Sequence, residues 1–283
     1  MLLPRLVLVC LVAFTAPAGA ETTVGPTGAE TSAATLADTL RLEALFEVLR
    51  EEGLAYGETL ETDMFPGGGG PGWTEAVSAI YAVSNLTSRF TAALDAQLAE
   101  DPAALAQIIA FFASELGQRV VTLEIDARRA FLDEATEEAA RVAADNRFAA
   151  RDARAGLLQR FIEAGDLIEM NVAGSLSGSL AFMHGMSAAG AYGPALPEEQ
   201  MLSDVWGQED QVREDTSSWL YAYLGLAYQP LSDAELKSYI DFAESPAGLR
   251  LNAALFSAFD TVFRQISLDL GKAAALAMLG RDI

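Results

Sequence analysis

The chain has 283 residues, of which 40 are acidic and 18 basic, for a formal net charge of −22, and it holds one histidine and one cysteine. An anionic surface of this kind is repelled by phosphate backbones and anionic lipid, which argues against nucleic acid as a partner. A single histidine rules out a multi-histidine zinc site within one chain, and any Ser-His-Asp arrangement would have to use His184.

Residues 1–20 read as a secretory signal peptide. Arg5 is the positive region, Leu6 to Phe14 form a short apolar run, and Pro17-Ala18-Gly19-Ala20 ends in a small-residue cleavage site before Glu21. The run is shorter than the roughly 20 apolar residues that a membrane span needs. Cys10 lies in the middle of the run, so the mature chain would lack disulfides and thiolate chemistry. Without Arg5, 17 basic residues remain against 40 acidic ones. The expectation is a periplasmic protein with no integral membrane segment after signal removal.

Residues 21–35 are small and polar and read as a flexible leader. Apolar residues at helical spacing begin at Leu36 and continue through Leu40, Leu45, Phe46 and Leu49, with Thr35 as the expected cap and Gly53 as the stop or bend. The Pro- and Gly-rich stretch from Phe65 to Trp73 reads as a plain loop. It is not a phosphate loop, because no lysine follows the glycines and no buried strand precedes them. From Trp73 onward the chain reads as helix.

Over 118–165 there is no proline, and the only glycines are Gly156 and, at the very end, Gly165. Glu124/Arg128 and Glu137/Arg141 have the spacing of helical ion pairs. An unbroken helix here would reach roughly 70 Å, so a break is expected near Asp145-Asn146 or Gly156. The small-residue segment 172–191, with Gly174-x-x-x-Gly178, predicts a buried helix whose backbone approaches its neighbours closely. Gly193-Pro194 and Pro197 mark a loop, and helices resume from about Met201.

One pattern occurs twice, 131 residues apart: Phe111, Ser114, Gly117, Arg119 and Phe242, Ser245, Gly248, Arg250. Each residue has a local role. Ser232 and Glu235 have the spacing of a capping box that opens a helix. Pro246 disfavours a helical Ser245, so that helix ends and Ser245 caps the next, with Pro246 at its first position. Gly248 leaves room for another backbone, and Arg250 is expected to bond the free carbonyls that end the previous helix. Ser114 and Gly117 take the same parts in the first copy. The predicted fold is an all-α helical bundle over 36–283, built from two related helix–corner–helix units at about 73–165 and 201–283.

Leu231-Ser232-Asp233-Ala234-Glu235-Leu236, then Phe242, Ser245-Pro246, Gly248 and Arg250, resemble a family of exported bacterial proteins called domain of unknown function 2059. The resemblance is strongest over 228–283 and fainter over 101–125. Two departures are Ala243, where the family usually has an aromatic residue, and Glu115, where it has proline. The resemblance implies an all-helical periplasmic protein and brings no reaction with it.

No residue is assigned here to catalysis, a cofactor or a metal. Met183, His184 and Met186 carry a copper hypothesis, since thioether and imidazole suit soft copper. Carboxylate neighbours such as Glu51/Glu52, Glu137/Glu138 and Glu198/Glu199 carry a hydrolase hypothesis, which requires a deep cleft with two acids of raised pKa. The preferred expectation is a non-enzymatic binding or envelope-maintenance module with a protein partner and no cofactor.

Overall fold

The computed structural model describes residues 32–193 and 196–281, and these form thirteen helices with no strand. The signal and most of the expected leader lie outside the described residues. The chain begins with α1 (Ala33–Thr39), capped by Ser32, whose hydroxyl accepts from the Thr35 amide at 3.1 Å. The expected start at Leu36 under Thr35 is therefore three residues late. Arg41 in the left-handed region (φ 53°) then breaks the helix, and α2 (Leu42–Met64) runs straight through Gly53. Gly53 does not stop it. Its missing side chain makes room for the Tyr81 ring, as that of Gly57 does for Val77.

The Gly-rich stretch is a link of a few residues rather than a full loop, because α3 (Gly70–Ile80) already contains Pro71, Gly72 and Trp73. Positive φ at Gly67 and Gly70 makes the turn. The Trp73 indole then donates to the Gly57 carbonyl at 3.0 Å, which fixes α3 on α2. Next come α4 (Val83–Leu98), α5 (Pro102–Phe112) and α6 (Glu115–Ala130).

The long glycine-poor stretch breaks twice, at neither expected place. Asp133 caps α7 (Glu134–Ala149) by accepting from the Thr136 amide, and Asp152 caps α8 (Ala153–Ala164) after Arg151 at φ 52°. Asp145-Asn146 and Gly156 sit inside these helices. Local side-chain capping outweighed glycine's weak helix preference there. The remaining helices are α9 (Leu167–Ala188), α10 (Glu198–Trp206), α11 (Glu209–Ala227), α12 (Asp233–Ala243) and α13 (Pro246–Met278).

Helices α5 and α12 begin and end 131 residues apart, and α6 and α13 begin 131 apart. Their corners have the same geometry. Ser114 (φ −69°, ψ 163°) accepts from the Gly117 amide at 3.1 Å, and Ser245 (φ −72°, ψ 159°) accepts from the Gly248 amide at 2.7 Å. A Cβ on Gly117 would overlap the Phe111 carbonyl oxygen and lie 2.6 Å from the Phe112 Cα. Gly117→Ala should therefore destabilise the protein by about 2 kcal/mol; a chemical-denaturation midpoint equal to that of the wild type would contradict this.

The two corners face each other. Phe111 and Phe242, at equivalent positions, stack with ring centres 4.2 Å apart. Arg119 pairs with Glu235 and donates to the Pro230 carbonyl at 2.6 Å, just past the end of α11. Arg250 donates to the Gln97 carbonyl in the last turn of α4. Each arginine thus donates to a carbonyl at or just past a helix end in the other segment, and Arg250 does not bond its own previous helix as the spacing suggested. Likewise α13 packs on α4, and α6 on α11. Such reciprocal contacts are the pattern of a two-fold arrangement.

Candidate functional site

After α13 turns its N-terminal half toward α4, its other face is covered by α9. The two helices run side by side in the same direction. At one end the Asn252 amide donates to the Gly165 carbonyl at 2.8 Å. At the other, Gly185 lies against the backbone of Leu268 and Lys272, and Gly271 against that of Phe182 and Met186. These two glycines, rather than Gly174, make the close approach.

Between the two contact points the interface is not filled. Ala173, Gly174 and Ser177 on α9 and Ala253 and Ser257 on α13 are too small to meet. They leave a groove of about 380 Å³ with Met170, Phe256, Phe259 and Phe263 in its walls. A Cβ built on Gly174 would touch nothing within 4 Å. Polar atoms are few: Asn171, buried and donating to Leu167 at 2.7 Å, the serines, and Asp260, which faces Arg264 at 3.8 Å. An apolar concavity of this size with a few polar groups at its edge is the usual form of a small-molecule site.

A second, polar feature lies on the opposite side of Phe259. Glu124 of α6 is 6% exposed, and its Oε1 accepts from the Tyr228 hydroxyl at 2.5 Å and the Tyr239 hydroxyl at 3.0 Å. The Tyr223 hydroxyl donates to the Glu124 carbonyl at 2.7 Å. One turn on, buried Arg128 donates through Nε and Nη2 to both oxygens of Glu52 at 2.7 Å, beneath the Trp219 ring. Burial pushes the Glu124 carboxyl up to about 8, against the pull of the two phenol bonds. At the equivalent positions of the second segment stand Leu255 and Phe259, so a polar pair occupies what is ordinary core 131 residues later. All four residues line one cavity of about 40 Å³, which admits only water-sized molecules.

The residues singled out in the sequence fall elsewhere. Phe111, Ser114, Gly117, Arg119, Ser232, Glu235, Phe242, Ser245, Pro246, Gly248 and Arg250 build the two corners. Ser232 accepts from the Glu235 amide, and the Glu235 carboxylate accepts from the Ser232 amide at 2.7 Å. None of these residues lines the groove. Met183 packs on the small cluster around Val172, Leu176 and Val205, Met186 is buried in the main core, and the His184 ring meets Glu198 at 2.8 Å. The copper trio therefore disperses toward three different neighbours. Glu124 stands beside a water-sized cavity, not the substrate-sized cleft that the hydrolase reading needs.

Fold and groove together define an all-α protein with a small apolar cleft between two parallel helices. Among the described residues no helix is long and apolar enough to cross a membrane. The model of a family described as an uncharacterized protein conserved in bacteria, DUF2059, matches residues 84–145. This is the family that the corner pattern resembles, and the match runs from α4 into α7 and includes the first corner. The second corner, whose Ser-Pro-x-Gly carries the resemblance most plainly in the sequence, lies outside the matched residues. No curated protein and no solved structure matches the chain.

Proposed function

We propose that this is an exported, periplasmic, non-enzymatic protein that binds a small apolar molecule in the groove between α9 and α13. Export is supported by the arrangement of Arg5, the run Leu6 to Phe14 and the small residues Ala18 to Ala20. Binding is supported by one observation above all: a tightly packed helix pair leaves about 380 Å³ open at its middle, walled by three phenylalanines and a methionine. The groove is open to solvent, with Ala173 and Ala253 exposed at its rim. The walls extend from Met170 to Ser177 on α9, about two helical turns or roughly 10 Å. That length suits a small molecule and is short for a partner helix, which needs an extended apolar stripe.

Titration with 1-N-phenylnaphthylamine, an uncharged apolar fluorophore, tests the reading. The wild type should bind it saturably at one site. Gly174→Leu should weaken that binding at least about tenfold by filling the open space, without lowering the melting temperature, since leucine favours a helix over glycine. Equal binding by the variant, or none by the wild type, would overturn the reading.

A further inference from the structure

We propose that protonation of Glu124 gates the groove: binding holds while this buried carboxyl is neutral and weakens as it ionises. The proposal rests on the groove being a binding site, and it is carried by a shared wall. Phe259 lines both the groove and the small cavity beside Glu124. Its ring lies 4.4 Å from Phe90 and stacks at 5.7 Å on Phe263, itself a groove wall. A shift of α13 at Phe259 is therefore felt on both sides.

The groups around Glu124 determine what happens when it loses its proton. Tyr223 comes from α11 and Tyr228 from just after it, Tyr239 from α12, Arg128 from α6 and Glu52 from α2, while Leu40 after α1, Leu42 and Leu45 of α2, and Leu255 and Phe259 of α13 are apolar. Burial pushes Tyr223 and Tyr228 well above the ordinary phenol range, so both stay neutral where Glu124 titrates. Arg128 is held in a two-point bond by both carboxyl oxygens of Glu52. A new charge on Glu124 thus has two phenol donors and no cation free of another carboxylate. An ionised carboxylate in a dry core is costly unless paired or hydrated. The cavity beside it, about 40 Å³, admits little more than a single water, so a full hydration shell requires the cavity to widen, and Leu255 and Phe259 of α13 form part of its wall. Moving that wall displaces the Phe259–Phe263 pair and alters the groove.

The same fluorophore provides the test, because it carries no charge between pH 6.5 and 9. Wild-type affinity should fall about fivefold or more between those two values. Glu124→Gln should bind equally at both, at the tighter level. Glu124→Leu, which places at this position the residue type of its equivalent 255, serves as a second neutral variant should glutamine fold poorly. Unchanged wild-type affinity across this range would overturn the gate and leave the groove reading standing. Absence of binding at every pH would instead overturn the groove reading. A loss of affinity in the neutral variants that parallels the wild type would assign the pH dependence to another group and also overturn the gate.

Discussion

Replacing Gly185 or Gly271 by leucine should destabilise the protein by about 3 kcal/mol or more, the upper end of what overpacking costs. At these two positions the obstacle is backbone. A Cβ on Gly185 would overlap the Leu268 carbonyl oxygen and lie 2.9 Å from the Lys272 nitrogen, and one on Gly271 would overlap the Phe182 carbonyl oxygen and lie 3.1 Å from the Met186 nitrogen. No rotamer change relieves such a contact, so α9 and α13 would have to separate. Gly174, on the same face-forming helix, is the internal control because nothing lies within 4 Å of its Cβ position. Urea denaturation of the three leucine variants should place Gly185→Leu and Gly271→Leu far below the wild type and Gly174→Leu at or above it. Three equal midpoints would contradict the packing described.

The second large effect is on stability against pH. Glu124 has an ordinary carboxyl value of 4.5 unfolded and about 8 folded. The folded protein therefore holds this proton more tightly. The stability it contributes is complete below about 4.5 and is lost as the pH rises through about 8. The loss across that window is on the order of 4 kcal/mol, or roughly 10 °C in melting temperature for a chain of this length. Glu235 and Glu244 are held below their usual range by Ser232 and Arg160, so their contributions fade at acid pH and do not mask the window above 5. Wild-type melting temperature should fall between pH 5 and 8.5, and Glu124→Gln should be flat across it. A flat wild-type profile would show that the carboxyl is not held neutral.

These two sites differ in how visible they were from the sequence. The corners were legible because their chemistry is local: a serine three residues before a glycine caps the helix that contains it. The caps Ser32, Asp133 and Asp152 are equally local: Thr35 offers the same capping chemistry three residues after Ser32, and Asp133 and Asp152 outweigh the weak helix preference of Gly156. The partners of Arg119 and Arg250 were not legible, since they lie on helix ends more than 100 residues away. The small-residue stretch of α9 announced close packing, and Gly185 delivers it. Whether a given glycine is filled by a neighbour or left open is a tertiary matter, so the groove at Gly174 carried no signal. Glu124 read as one half of a helical ion pair with Arg128. Its alignment with Leu255 at the 131-residue offset was the available clue that the position belongs to the core.

Binding of a small apolar molecule in the groove is read directly by methionine methyl NMR. Met170 lines the groove, whereas Met64, Met186, Met201 and Met278 lie away from it. Adding 1-N-phenylnaphthylamine should shift the Met170 methyl signal strongly and leave those of Met64, Met201 and Met278 in place. Shifts at Met278 or Met64 with Met170 unmoved would contradict it.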